Sequence, residues 1–566
     1  MNNIRICFFF ILVLALVVPF CVYSKNGQDK TRKNPQDEIL KNNQDSADAP
    51  VRLSSFIPNE KKYEIMRRLT GLDASNRPYL PYSFASDGFM IHYSTEGENA
   101  VPTADKNQNG VPDYVDSVAF YFEYAKKVFN EQIGYKLPLV DDTIGGGKDL
   151  FDVYLMDIGK EGYYGYAVLE DKVVSAEGGE MYRAFTVIDN DFSPTDSSYF
   201  NSKKRPTYLE TGINAVRFTA AHEYHHAVQF AYSLSVSLLH ELTSTWMEYR
   251  VIPKAYDFLQ FHSHFLKYPS HYNFGDGSDA INGYPLSIFA EYAYVQYGDK
   301  FLLRTWQLIG KGINGYVAMD SAFKELGSNG LVREWREFSR WLYYTGKRSV
   351  EGKYLIHSKE LPEMTFYNEL VFTPPSIIQN GILQSFELRA LRMLMPGKIF
   401  SDTEDTLDVI ISNSDIDAAI KNYQQSSDYL IAVLNDNISN SEKIDGIDYY
   451  LKTEADPNKI HFELFIHPGS PTNCIDYAFP NPFNIKEQNE LFLPVPCRVG
   501  FGQELIVSIF NTEMNSVYSS EKHRVEEVAG QRVVRCTDLP KNLSQGIYIY
   551  KVTYKNEEKV GKFVIK

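Results

Sequence analysis

Between residues 51 and about 350 the apolar positions fall into helical spacing. "SVAFYFEYAKKVFNEQIG" (117–134), "INAVRFTAAHEYHHAVQFAYS" (213–233) and "PLSIFAEYAYVQYGDKFLLRTWQLIG" (285–310) each carry apolar residues three and four apart, which places them on one face of a helix. "SLLHELTSTWMEYRV" (237–251) reads as a further helix. After "GKRSV" (346–350) the texture changes. "SFELRALRMLMP", "TLDVIISNS", "YLIAVLN" and "IHFELFIH" are short alternating runs set between Asp, Asn, Gly and Ser clusters, the signature of strands. "ELIVSIFN", "IYIYKVTYK" and "GKFVIK" continue that pattern to the C-terminus. The pattern predicts a multidomain α+β chain: a mixed α/β domain over 51–355, an all-β module over 356–473 and another over 474–566, both of immunoglobulin-like sandwich type.

Length agrees with several domains, since 566 residues exceed what one core usually organises. "MNNIRICFFFILVLALVVPFCVYS" (1–24) has a polar start with Arg5, an apolar run from Ile6 to Tyr23, and Val22 and Ser24 before a cut. That is the layout of a secretory signal peptide, with an uncleaved anchor as the alternative. No second apolar run of that length follows, so no transmembrane segment is expected after signal removal. Residues 25–50 are polar and charged, as in a flexible linker. Residues 51–85 lie where an activation segment would lie, without a motif that marks one. A net charge of −15 argues against a nucleic-acid partner. Without the signal, Cys474, Cys497 and Cys536 remain. Their odd number outside the cytoplasm predicts one bridge, Cys497 to Cys536, and one leftover thiol.

"RFTAAHEYHHAVQF" (217–230) changes the picture. His222 and His226 stand four apart in an HExxH pattern, on one helical face, where two imidazoles can converge on one zinc ion. Glu223, one position along, is placed to act on water rather than to bind the ion. Chance alone would give such a pattern roughly once in fifty chains of this size. A solvent-facing helix is the plain alternative, but from Phe218 to His240 Glu223 is the sole formally charged side chain. A surface helix would carry lysines and glutamates on its wet side. His225 is off the shared face and reads as a packed neighbour rather than a ligand.

Such a site needs a third ligand and leaves a fourth position open. Glu241 and Glu248 on the next helix lie seven apart, so either could reach the ion; the third histidine of an extended metzincin pattern is absent, with Tyr232 in its place. "HELTSTWME" resembles the segment that follows HExxH in gluzincin metallopeptidases, whose first glutamate is the third ligand. "HEYHHAVQF", "TWME", "DKNQNGVPDYVD" and "DVYLMDIGKEGYYGYAVLE" are similar to a group of secreted bacterial metallopeptidases, over about 90–300. The resemblance implies a zincin-like domain with Glu241 as ligand and Glu248 as a partner behind the ligands or a structural residue. The family's glycine after the ligand glutamate is Leu242 here. Tyr284 and His271 are the downstream candidates for steadying an oxyanion, with structural roles as the alternative.

"DKNQNGVPDYVD" (105–116) sets Asp105, Asn107, Asn109, Asp113 and Asp116 at positions 1, 3, 5, 9 and 12 of an EF-hand-type loop, with Gly110 at position 6 and the Val111 carbonyl available. All-oxygen ligands suit Ca2+ in a structural role; a turn before the next helix is the alternative. "AFPNPFN" (478–484), Gly546-Ile547-Tyr548 and the terminal "GKFVIK" resemble the C-terminal sorting domain of type IX secretion cargo. That resemblance implies a Gram-negative source, passage through the periplasm, the type IX machinery as a partner, and a cell-surface or extracellular location.

The expected function is a secreted zinc endopeptidase acting on protein or peptide substrates, with Zn2+ held by His222, His226 and Glu241 and Glu223 as general base. The alternatives are a non-catalytic surface-binding or adhesion protein with a degenerate peptidase core, and a zinc hydrolase of a non-peptide substrate.

Overall fold

The computed structural model describes residues 59–566 except 74, 142–143, 175–179, 201–202, 254–257, 275–279, 367, 372–375, 396–404, 421–426, 435–446, 454–462, 469–476, 497–502, 529–530 and 556. The signal and linker expected over 1–50, together with Cys474 and Cys497, lie outside the described residues. The chain divides into units 1–49 and 50–566, of which the second is described below. Among the described residues no helix is long and apolar enough to cross a membrane.

The architecture is multidomain α+β: a mixed sheet with a helical region, then antiparallel β structure toward the C-terminus. Helix α1 (Asn59–Leu69) precedes strands β1 (Tyr82–Ser86), β2 (Phe89–Tyr93), β3 (Phe151–Met156), β4 (Gly165–Val174) and β5 (Glu180–Asp189), in spatial order β1-β2-β3-β5-β4. The central strands β2, β3 and β5 run parallel, while β1 and β4 are antiparallel to their neighbours and form the edges. Alternate side chains point to opposite faces of a pleated strand. Phe89, Ile91, Val153, Leu155 and Ile188 face helices α2 (Asp113–Lys126) and α3 (Ile213–Phe230). Tyr154, Met156, Tyr166, Val168, Phe185 and Val187 face the other way and are covered by Ile65 and Met66 of α1. A short hairpin of β6 (Ser197–Phe200) and β7 (Lys203–Pro206) leads into α3.

Helices α4 (Ser237–Val251), α5 (Leu259–Lys267), α6 (Gly283–Tyr297), α7 (Lys300–Ile309), α8 (Gly315–Glu325) and α9 (Leu331–Trp341) complete the helical region. The apolar stripe over 285–310 is thus two helices, broken at Gly298 and Asp299. Strands β8 (Asn368–Val371), β9 (Ser376–Leu383), β10 (Leu388–Met395), β11 (Asp405–Asn413), β12 (Ser427–Leu434), β13 (Ile447–Thr453) and β14 (Glu463–Pro468) form two sheets, β13-β11-β10-β8 and β14-β12-β9. Phe386, Leu388, Ala390 and Ile410 pack into the same apolar core as the helices, with the Phe386 ring 5.3 Å from Phe274.

The last sheet, β15 (Leu491–Pro494), β16 (Glu504–Phe510), β17 (Ser516–Val528), β18 (Gln531–Cys536), β19 (Gly546–Tyr554) and β20 (Glu557–Ile565), is antiparallel throughout and has a core of its own. Here the sequence expectation for the cysteines fails. Cys536 is a free thiol, buried in that core opposite Leu491 rather than bridged. Burial raises its pKa, with Asp538 adding to the rise, so the thiol behaves as a small apolar side chain.

Candidate metal centre

Every residue of α3 from Phe218 to Phe230 is buried, and so is every residue of α4 from Leu238 to Glu248. The helix carrying the HExxH pattern therefore has no wet face along that stretch, which disposes of the surface-helix reading. α3 lies against β4 and β5 on one side and α4 on the other. Six residues, 231–236, are enough to bring Glu241 back beside the imidazoles.

His222 Nε2 stands 3.2 Å from Glu241 Oε2, and His226 Nε2 stands 3.7 Å from Glu241 Oε1. One ligand atom from each of the three side chains falls within 4.8 Å of the others. Ligands about 2.0–2.1 Å from a tetrahedral zinc ion stand roughly 3.3–3.4 Å apart. The observed spacings bracket that value, so the buried His222, His226 and Glu241 side chains fit a zinc-sized ion. The backs of both rings are held as well. His222 Nδ1 is 2.8 Å from Glu248 Oε1, and His226 Nδ1 is 2.9 Å from Gln229 Oε1. A proton on each Nδ1 satisfies these acceptors and leaves each Nε2 lone pair for the ion, the arrangement usual behind metal-binding histidines.

Gln229 is the hub that sequence reasoning missed. Its Oε1 also meets His240 Nδ1 at 2.9 Å, while its Nε2 donates to the His240 carbonyl oxygen at 2.9 Å and to Thr243 Oγ1 at 2.8 Å. It ties α3 to α4 directly behind the ligands. His225 is a packed neighbour, as expected: Nδ1 meets Ser244 Oγ at 2.9 Å, and burial holds its pKa well below the usual range.

Glu223 differs in kind from Glu241. It is buried, and its Oε2 has no hydrogen-bond partner among the described residues. An unsatisfied buried carboxylate oxygen costs several kcal/mol unless something arrives to meet it. Burial raises the Glu223 pKa, partly offset by the charges on His222 and His226. Burial acts the same way on Glu241, but there His226 and His222 outweigh it and hold the carboxyl well below its ordinary value. The surroundings of these two neighbouring carboxyls thus shift them in opposite directions.

Two glycines allow the close packing. A Cβ on Gly165 of β4 would stand 2.8 Å from Glu223 Cγ and 3.0 Å from the Val187 carbonyl oxygen. A Cβ on Gly283 at the start of α6 would stand 2.4 Å from the Leu238 carbonyl oxygen and 2.6 Å from Glu241 Cβ. Leu242, where the resembled family has glycine, is buried in the core. In this chain the close approach to the ligand helix is made by Gly283 instead. Tyr284 follows it and stacks on the His222 ring, centroids 5.7 Å apart. His271 stacks on Tyr268 at 5.2 Å.

In the 105–116 loop, Asn109 Nδ2 donates to Asp116 Oδ2 at 3.0 Å and Asn107 Nδ2 to the same oxygen at 2.8 Å. Asp105 accepts from the amides of Asn109 and Gly110, and Asp113 Oδ1 accepts from the Lys106 amide. The Val111 amide donates to Asn109 Oδ1. Asp105, Asn107, Asn109 and Asp116 are drawn together, and Asp113 opens α2. A second acidic group, Asp157, Asp189 and Asp196, was not anticipated. Two of its members have partners: Asp157 pairs with Lys160 at 2.6 Å, and Asp189 accepts from the amides of Ile158, Gly159, Asp191 and Phe192.

No family model matches this chain, and no curated protein matches it. Among solved structures it is matched to the crystal structure of neural ectodermal development factor IMP-L2 at 9% identity and a TM-score of 0.10, over 36% of this chain and 92% of that one. A likeness of that degree carries no argument. What the chain possesses in its own right is a buried His222, His226 and Glu241 group consistent with an HExxH…E metal site.

Proposed function

We propose that this chain is a secreted zinc-dependent endopeptidase of the gluzincin type. The observation that carries the reading is the convergence of His222 Nε2, His226 Nε2 and the Glu241 carboxylate at zinc-ligand spacing, with Glu223 beside them. A zinc ion bound there supplies Lewis-acid chemistry to a substrate carbonyl. Glu248 and Gln229 hold the Nδ1 protons of the two histidines and so fix which nitrogen each ring presents. Glu223 Oε2 accepts a proton from the attacking water and passes it to the leaving nitrogen. Tyr284, stacked on His222, fixes the ring plane.

The same reading takes 51–355 as a zincin-like domain and 356–473 and 474–566 as immunoglobulin-like modules, the last serving the type IX secretion machinery. It places a structural calcium ion in the 105–116 loop and the mature protein at the cell surface or outside the cell. The Asn481-Pro482-Phe483-Asn484 and terminal "GKFVIK" landmarks support the secretion assignment.

Glu223→Gln tests the reading. The variant should keep its zinc and lose hydrolysis of casein or another unfolded protein by at least about 100-fold, the scale of a lost general base. Full activity in that variant would refute the assignment.

A further inference from the structure

Glu248 holds the Nδ1 edge of His222, and the Tyr284 ring lies along its face, with the two planes 9° apart. What holds Tyr284 in turn comes from α5. Phe261 packs against the Tyr284 ring with centroids 5.0 Å apart, and both side chains are buried. His262, the next residue, reaches the main chain of the same tyrosine through a serine. Ser287 Oγ donates to the Tyr284 carbonyl oxygen at 2.6 Å, and His262 Nε2 lies 2.9 Å from Ser287 Oγ. A serine has one proton to give. With that proton directed at the Tyr284 carbonyl, Ser287 Oγ is left to accept, so His262 Nε2 carries the hydrogen and donates.

The His262 ring is held from its other side too. Its Nδ1 faces Glu291 Oε2 at 3.1 Å, and Glu291 stands one helical turn beyond Ser287 on α6. Phe258, just before α5, meets the His262 ring edge-on at 5.1 Å. His262, Ser287 and Glu291 are fully buried. Burying three polar side chains costs free energy that plain apolar packing between two helices would not. Hydrogen bonds are directional where apolar contacts are not, so this run fixes the start of α6 in register against α5. The residue it fixes is the one that touches His222.

We propose, resting on the metal-site reading, that His262 is a positioning residue for His222. Acting through Ser287 and Tyr284, it keeps the His222 ring in the plane that turns Nε2 toward the Glu241 carboxylate. The torsion that turns a histidine ring about its Cβ–Cγ bond has broad minima. One hydrogen bond at Nδ1 therefore leaves the ring free to rock, and a second ring lying parallel on its face removes that freedom. Without the His262–Ser287–Tyr284 run the two rings rock together. The site then holds an ion more weakly although no ligand has been removed.

The test uses the full chain and three readouts: zinc affinity by chelator competition, the visible absorption of bound Co2+, which reports ligand geometry, and thermal melts of the metal-free protein. Ser287→Ala deletes the run with a small change in volume. His262→Phe removes the donor, and His262→Gln keeps one. Ser339→Ala is the control, because it deletes a comparable bond, from Ser339 Oγ to the Trp335 carbonyl oxygen on α9. Ser287→Ala and His262→Phe should weaken zinc binding about 3- to 10-fold, the scale of one lost hydrogen bond, and shift the cobalt bands. His262→Gln should recover part of both, and Ser339→Ala should lower only the melting temperature. Wild-type affinity and bands in Ser287→Ala and His262→Phe would overturn the positioning role and leave the metal site standing, as would equal effects in Ser339→Ala. No metal bound by wild type would overturn both.

Discussion

Gly165 shows how much of the centre depends on single atoms. One added methyl there meets both the Glu223 side chain and the backbone of β5, and strand backbone cannot retreat. Gly165→Ala is expected to cost about 1–3 kcal/mol by overpacking, and to lower kcat far more than zinc content, because Glu223 is displaced and the ligands are not. Turnover measured beside metal content checks this; equal loss of both would contradict it. Behind the ligands, Glu248→Ala should weaken zinc binding about 10–100-fold, and metal titration reads it directly. At this scale the sequence was informative where spacing matters: His222, Glu223, His226 and the pair of candidates Glu241 and Glu248 follow from positions along two helices, while the preference for Glu241 came from the family resemblance. Gln229 and His262 were not legible, because their partners lie on other elements and no local pattern marks them.

At the scale of elements, the helices that brace the centre are themselves joined by a buried polar cluster. Glu291 of α6 lies 3.1 Å from His262 Nδ1 of α5, a contact off the angle of a good hydrogen bond, and accepts from His357 Nδ1 at 3.1 Å and the His357 amide at 3.0 Å. Burial raises the Glu291 pKa, but the two histidines outweigh it and bring the carboxyl down to about 2. A carboxyl depressed in the folded state stabilises the fold fully above its ordinary value near 4.5, and that contribution fades as pH falls toward 2. Glu291→Ala should therefore cost about 1–3 kcal/mol near neutral pH, because the buried His357 donors lose their acceptor, with the difference from wild type shrinking on acidification below 4.5. Denaturant melts at several pH values would show it, and a constant difference would contradict it. The helices announced themselves by periodicity, but "FMIHY" and "FDVYLM" did not announce strands. They are central parallel strands buried on both faces, so the alternation that betrays an edge strand is missing. The C-terminal strand "ELIVSIF" has one wet face and was legible for that reason.

Across the whole molecule, the centre sits in one apolar core that runs from the first sheet through the helices to Ile410, and the C-terminal sheet has a separate core. Thermal unfolding should show two transitions, and stripping zinc with a chelator should lower only the one that reports the helical region; a single transition, or a shift in both, would contradict that division. Composition and charge pointed to several domains and argued against a nucleic-acid partner, but they could not say which segments share a core, since that depends on contacts far apart in sequence. The account stands or falls on the ion. Metal content measured on purified wild type, Glu223→Gln and Glu241→Ala is the most direct test. One zinc per chain in the first two and almost none in the third is the predicted result; no zinc in wild type, or zinc retained without Glu241, would contradict it.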